Sequence, residues 1–218
     1  MAAPATEPGP RRAVRAAVVL AVVAVAGFGL IAVMHEVTRD EIAAAAHERQ
    51  LARFREVLAG TSFDNDLLAD HVEVRDAELL GTQAPVRAWR ARAAGRVVAV
   101  VLEPVAPAGY AGPIRLLVAI RPDGTVLGVR VTEHRETPGL GDAIDARKSS
   151  WIERFAGKAL GQPPAERWRV RKDGGDFDQF TGATVTPRAV VGAVANALVY
   201  FERHRDELLA APATIDAR

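Results

Sequence analysis

The sequence predicts an α+β domain carried behind a single N-terminal transmembrane helix. An unbroken apolar run occupies 16–34, strand-like segments fill 71–133, and strong helical periodicity returns only in the last third of the chain. Strands followed by helices, instead of a regular alternation of the two, favour an antiparallel sheet with flanking helices over a parallel one.

Arg11, Arg12 and Arg15 precede the apolar run, which ends at Met34 and gives way to His35, Glu36, Arg39, Asp40 and Glu41. At about 1.5 Å per residue the run covers roughly 28 Å, close to the hydrocarbon thickness of a bilayer. The basic cluster on its N-terminal side predicts a cytoplasmic tail over 1–15, a span over 16–34 and an exported remainder. A cleaved signal peptide and a buried core helix are the alternatives. Ala24-Val25-Ala26 resembles a cleavage site, but the apolar stretch continues through Leu30, Ile31 and Val33.

Residues 36–58 are rich in Ala, Glu and Arg and hold no Gly or Pro. Ile42, Ala46, Leu51, Phe54 and Leu58 form an amphipathic stripe, so a helical stalk is expected over 35–60. Gly60, Thr61, Ser62 and Asn65 then break the pattern, and the exported domain is expected over 61–218. Strands are predicted at 71–79, 86–92, 96–103, 114–120 and 126–133. Arg121-Pro122-Asp123-Gly124 predicts a tight turn that makes the last two a hairpin. Helices are predicted around 142–159 and from Pro187 to about Leu209, the latter burying Val190, Val194, Leu198 and Phe201.

Composition excludes several function classes. The chain has 218 residues, 49% of them hydrophobic, and its 28 Lys+Arg against 27 Asp+Glu leave a formal charge of +1. That describes a folded protein with no electrostatic reason to bind nucleic acid. It has no Cys, so disulfides, thiolate nucleophiles and iron–sulfur clusters are excluded. His35, His47, His71, His134 and His204 are scattered without metal-binding spacing, and no metal is expected.

Two segments carry candidate chemistry. In Asp178-Gln179-Phe180-Thr181-Gly182-Ala183-Thr184-Val185-Thr186-Pro187, Pro187 suits the first position of a helix and makes Thr186 its expected N-cap. Small residues beside a helix start allow a phosphate to approach free N–H groups, although a Thr-Pro helix start is also common without any ligand. In His134-Arg135-Glu136-Thr137-Pro138-Gly139-Leu140-Gly141-Asp142, the glycines leave room for a planar ring and Leu140 offers apolar contact; an ordinary turn is the competing reading. Tyr110, Trp151 and Phe180 either stack on a bound ring or simply pack in the core, and Lys148 either pairs with a phosphate or lies exposed on a helix, packing and exposure being the default readings.

Thr181-Gly182-Ala183-Thr184-x-Thr186, with Asp178 upstream, resembles the flavinylation motif of the membrane flavoproteins of Rnf and sodium-pumping quinone reductase complexes. Gly109-Tyr110-Ala111-Gly112 and the 134–142 segment are similar to that family's second motif, and length and pattern favour the G subunits of Rnf-type complexes. The resemblance implies FMN held covalently by a phosphoester to Thr186. Thr181, Gly182, Ala183, Thr184, Glu136, Thr137, Pro138, Gly139, Leu140 and Gly141 would surround the cofactor. It implies an electron-relay subunit of an ion-translocating complex, linked to ferredoxin and NAD, anchored in the bacterial inner membrane with its domain in the periplasm and not catalytic alone. Partners would be the other membrane and cytoplasmic subunits and an exported flavin transferase using FAD. The homologous FMN subunit of a sodium-pumping NADH:quinone reductase and a non-redox exported sensor or envelope module are the alternatives.

Overall fold

The computed structural model describes residues 10–58 and 60–210, so residues 1–9 of the expected tail and the stretch 211–218 lie outside it. The chain divides into two units, Met1–Gln50 and Leu51–Arg218.

In the first unit the chain is part of one helix, α1, which runs over Pro10–Leu58. Its segment Ala17–Arg39 is long and apolar enough to cross a membrane, with a mean hydropathy of 2.8. Val19, Leu20, Val25, Phe28 and Ile31 are all exposed, so the apolar surface goes right round the helix instead of forming one stripe. A helix apolar on every side has no aqueous face to present, and lipid is the solvent that suits it. Thr38 donates its hydroxyl to the Met34 carbonyl at 2.8 Å, satisfying a polar side chain within the helix. Of the expected stripe, Ile42 is exposed, and the side chain of Ala46 lies outside the described residues.

The second unit begins with the last turns of α1 and contains, among the described residues, six strands: β1 His71–Val74, β2 Val86–Ala93, β3 Arg96–Leu102, β4 Val105–Ala106, β5 Ile114–Ile120 and β6 Val126–Glu133. All pair antiparallel. β1 pairs with β2, β2 with β3, and β5 with β6, while β3 and β4 lie in succession along the other edge of β5. The sheet is therefore a meander whose third strand is interrupted at Glu103-Pro104. Proline has no N–H to give a ladder, though its carbonyl still accepts from Leu116 N–H at 3.0 Å.

The β5–β6 hairpin turns where expected, with Gly124 N–H donating to the Arg121 carbonyl at 2.9 Å. β1 is shorter than the predicted 71–79, because Asp76 accepts the N–H groups of Glu78 and Leu79 and folds the chain into a turn. No single helix covers 142–159. Two short 3-10 helices, Gly141–Ile144 and Trp151–Phe155, stand there instead. The Asp145 carboxylate takes the Arg147 N–H, and the Ser149 hydroxyl bonds the Ala143 carbonyl and the Trp151 N–H, so side chains compete with the helical ladder. The final helical region is α2 Val185–Arg203 followed by α3 Arg205–Leu209, broken at His204.

Strand alternation sends side chains to two cores. On one face Val100, Leu102, Leu116, Val118 and Ile120 pack with Val190, Val194, Leu198 and Phe201 of α2, whose predicted apolar face is buried. On the other, Trp89, Ala99, Val101, Leu117 and Leu127 meet Phe54, Val57 and Leu58 of α1. Gly128 interrupts the alternation of β6 for a steric reason: a Cβ there would lie 2.6 Å from the Val57 carbonyl oxygen. Trp151, Phe155, Trp168, Phe177 and Phe180 form one linked aromatic group.

Tyr200, on the buried face of α2, has its phenol pushed from 10.0 to about 12, first by burial and then by Glu207 and Asp76. A neutral-acid group with a raised folded pKa contributes stability that is complete below pH 10 and is lost as pH rises toward about 12. Alkaline unfolding in that window is expected to be weaker in Tyr200→Phe than in the wild type, as read by circular dichroism against pH.

Candidate functional site

The chain leaves β6 at Glu133 and turns at once, with Glu136 N–H donating to His134 Nδ1 at 3.1 Å. The turn carries the Glu136 side chain inward, where only 5% of the residue stays exposed. Its Oε1 accepts Ala111 N–H at 3.0 Å, and its Oε2 accepts the Thr186 hydroxyl at 2.5 Å. One carboxylate thus joins the 109–112 loop, the 134–142 loop and the first turn of α2.

Thr137-Pro138-Gly139-Leu140 forms a type II turn. Leu140 N–H donates to the Thr137 carbonyl at 3.1 Å, and Gly139 has φ +78. Asp142 accepts Gly139 N–H at 2.7 Å and pins the turn from within. A Cβ on Gly139 would meet nothing within 4 Å, so that glycine serves the backbone angle and not space. Gly141 is the reverse. A Cβ there would fall 2.6 Å from Glu136 Oε2 and 2.9 Å from Thr186 Oγ1, so its missing side chain is what lets the two groups meet.

The second loop makes a matching turn, Ala183 N–H to the Phe180 carbonyl at 3.1 Å, with Gly182 at φ +80. Helical geometry starts one residue later, at Thr184, whose carbonyl accepts Arg188 N–H at 3.2 Å. Thr184 is therefore the N-cap, and the expectation that Thr186 caps the helix is corrected: Thr186 is its second residue and Pro187 its third. The proline is still harmless, because N–H groups of the first turn have no partner inside the helix. Behind this loop Trp151 Nε1 donates to the Asp178 carbonyl at 2.7 Å, and the Asp178 carboxylate lies between Arg154 and Arg171.

The two turns face each other across a cavity of about 210 Å³. Glu136, Thr137, Leu140, Gly141, Gly182, Ala183, Thr184 and Thr186 line it, joined by Val185 and Tyr110. Thr181, Pro138 and Gly139 are exposed and lie outside the lining. Thr186 is fully buried on the cavity wall, whereas Tyr110 at 73%, Leu140 at 46% and Val185 at 40% leave an apolar rim open to solvent. Trp151 is not a lining residue: it is buried behind the loop, edge-on to Phe180 with ring centroids 5.2 Å apart. Lys148 is also outside the lining and approaches Asp142 at 3.9 Å. Val185, the unspecified position of the motif, carried no chemical signal of its own in the sequence; its place at the helix start decides its exposure.

Gly139→Val is expected to open the 137–140 turn. A β-branched residue in the left-handed region costs about 1–2 kcal/mol, and the loop would shift away from the cavity. A thermal melt reads the stability loss, and a changed flavin absorption spectrum reads the displacement; an unaltered spectrum in a folded variant would assign the turn to structure alone.

These residues fit a flavin nucleotide on structural grounds. The rim is apolar, and the wall carries a buried hydroxyl next to a helix start whose N–H groups favour an anion. Fold and site define the class as an FMN-binding domain behind a membrane-spanning helix. A family model described as "FMN-binding domain" matches residues 109–199, and one described as "RnfG N-terminal region" matches 1–57. The chain belongs to the family of ion-translocating oxidoreductase complex G subunits. Relatives of that name include one from Pseudomonas aeruginosa, 48% identical over 92% of this chain and 94% of the relative. Another, from Cereibacter sphaeroides, is 49% identical over 83% of this chain and 80% of the relative. A third, from Shewanella baltica, is 44% identical over 91% of this chain and 93% of the relative.

Proposed function

We propose that the protein is the membrane-anchored FMN subunit of an Rnf-type ion-translocating complex, relaying electrons between other subunits, with its FMN esterified to Thr186. The observation that carries the reading is the Thr186 hydroxyl, set in the wall of the 210 Å³ cavity where both motif loops converge. Bound FMN supplies the electron-transfer chemistry, which no side chain of this Cys-free chain provides. The protein's residues do the rest. Glu136 holds the two loops and the helix together, Leu140 and Val185 keep the mouth apolar, and the first turn of α2 presents N–H groups to a phosphate. The cavity is smaller than the usual 300 Å³ or more of an enclosing pocket, so it takes in part of a nucleotide and leaves the remainder near the surface, where a partner subunit can reach it.

The names of the relatives favour this reading over a sodium-pumping quinone reductase subunit and over a non-redox envelope module. In this scheme residues 1–15 are a cytoplasmic tail, 16–34 cross the inner membrane, 35–60 form a stalk and 61–218 form the periplasmic domain. An exported flavin transferase installs the FMN. Flavin fluorescence in a denaturing gel, after co-expression with such a transferase, tests the covalent bond directly. A protein that runs dark would rule it out. For topology, a reporter active only in the cytoplasm, fused after Arg218, is expected to be silent because Arg11, Arg12 and Arg15 hold the N-terminus inside; a strong signal would reverse the orientation.

A further inference from the structure

We propose that His134 is a pH-sensitive positioning residue of the flavin cavity: neutral, it holds the turn that carries Glu136 inward, and protonated, it exchanges that partner for Asp145 and frees the turn. The inference rests on the reading that FMN lies in this cavity, and it adds a control over the cavity walls.

A backbone N–H can only donate, so the 3.1 Å bond from Glu136 N–H to His134 Nδ1 requires an Nδ1 that carries no proton. The imidazole is then neutral, with its one proton on Nε2. This bond sits at the root of the site. It fixes the backbone of Glu136, whose buried carboxylate accepts Ala111 N–H at 3.0 Å and so ties the loop next to Tyr110 to the 134–142 loop. Tyr110, Glu136, Thr137 and Leu140 all line the cavity, so the walls on this side depend on where Glu136 stands.

A proton taken from solvent at Nδ1 places two donors face to face, and the bond is lost. A second partner is at hand. Asp145 follows the 3-10 helix Gly141–Ile144, and its carboxylate lies close enough to interact with the charge of His134. Arg147, whose guanidinium bonds both Asp145 oxygens at 2.6 to 3.1 Å, holds this carboxyl below the usual carboxylate range against the opposing effect of burial. Asp145 therefore stays ionised through the range, about pH 5–8, in which an imidazole ordinarily changes charge. Neutral and charged His134 thus have different best partners, the Glu136 N–H and the Asp145 carboxylate, which is the two-state element a switch needs. Of the surrounding charges, Glu133 at the end of β6 lies 3.4 Å from Arg115 of β5, and Glu56 of α1 lies 3.5 Å from Arg130 of β6, which Glu153 also approaches at 3.9 Å. Arg135 and Glu136 are the charged neighbours in its own loop, and Tyr110 lies across the cavity.

The test follows the visible circular dichroism of the oxidised flavin in the full-length, flavin-loaded protein in detergent between about pH 5 and about pH 8, where oxidised isoalloxazine itself does not titrate. The wild type is expected to show one transition in this range. His134→Asn offers an oxygen in place of Nδ1 and cannot take a proton, so it should keep the neutral-pH spectrum throughout. Asp145→Asn removes the charge that receives the imidazolium, and its transition should move to lower pH by about one unit. A merely structural histidine would leave H134N less stable without abolishing a transition. A wild-type spectrum constant with pH, or the same transition in H134N, overturns the inference. If H134N does not fold, D145N decides, and an unmoved transition overturns it. A protein that carries no flavin overturns the cofactor reading instead. Hydrogen–deuterium exchange of the 134–142 segment then reads the turn directly, with the wild type expected to exchange roughly 5-fold faster than H134N at about pH 5 and equally at about pH 8. Equal exchange at both pH values overturns the inference.

Discussion

Thr186→Val is expected to abolish covalent flavin while leaving the domain folded. Valine keeps the β-branched outline of threonine, and the site is fully buried, so packing in the first turn of α2 is preserved. What is lost is the hydroxyl that donates to Glu136 Oε2. Leaving that acceptor without its donor costs about 1–3 kcal/mol, against roughly 5–15 kcal/mol for an ordinary domain. The helix cap is untouched, because Thr184 and not Thr186 occupies it. A denaturing gel should show no flavin fluorescence from the variant, and circular dichroism should show a native spectrum with a modestly lowered melting temperature. Thr186→Ser, which keeps the hydroxyl, should regain part of the loading. An FMN adduct retained by the valine variant would place the bond on another residue.

Asp70→Ala is expected to destabilise the domain strongly. Arg90 and Arg92 lie two residues apart on β2, only 5% and 7% exposed, and their guanidinium groups converge on one carboxylate. Asp70 Oδ1 accepts Arg90 Nε at 2.7 Å, and Oδ2 accepts Arg92 Nε at 2.6 Å. Both guanidinium groups also donate to the Ala210 carbonyl, at 3.4 and 3.1 Å, which ties the end of α3 to the sheet. Removing the aspartate leaves two buried positive charges side by side. Breaking such a cluster costs about 3–5 kcal/mol, and each kcal/mol lowers the melting temperature of a domain this size by about 2–4 °C. Asp70→Asn, which keeps one acceptor oxygen but no charge, should fall between the two. A thermal melt decides the matter, and a loss below about 1 kcal/mol would mean that solvent reaches the cluster.

Much of the architecture is legible as pattern. The apolar run, the strand segments at 86–92, 96–103, 114–120 and 126–133, the Arg121–Gly124 turn and the buried stripe of α2 all rest on contacts a few residues apart. Local periodicity reports such contacts directly. The expected 142–159 helix fails for a reason visible only with side chains in place: Asp145 and Ser149 bond nearby backbone and divide the segment into short turns. The N-cap was misplaced by two residues because the Phe180–Ala183 turn brings the chain into helical geometry before the proline that marks the helix in sequence.

The site divides along the same line. The amino-acid sequence by itself determined the span, the order of the strands, and the two motif segments with their glycines and threonines. Local composition and spacing set these features. Only the tertiary structure decided which atoms meet: Glu136 with Thr186 across fifty positions of sequence, Asp70 with Arg90 and Arg92, and Gly128 against Val57. A carboxylate reads the same in sequence whether it ends in water or against a hydroxyl. Its partner is set by the sheet register and helix packing that bring distant segments into the same small volume.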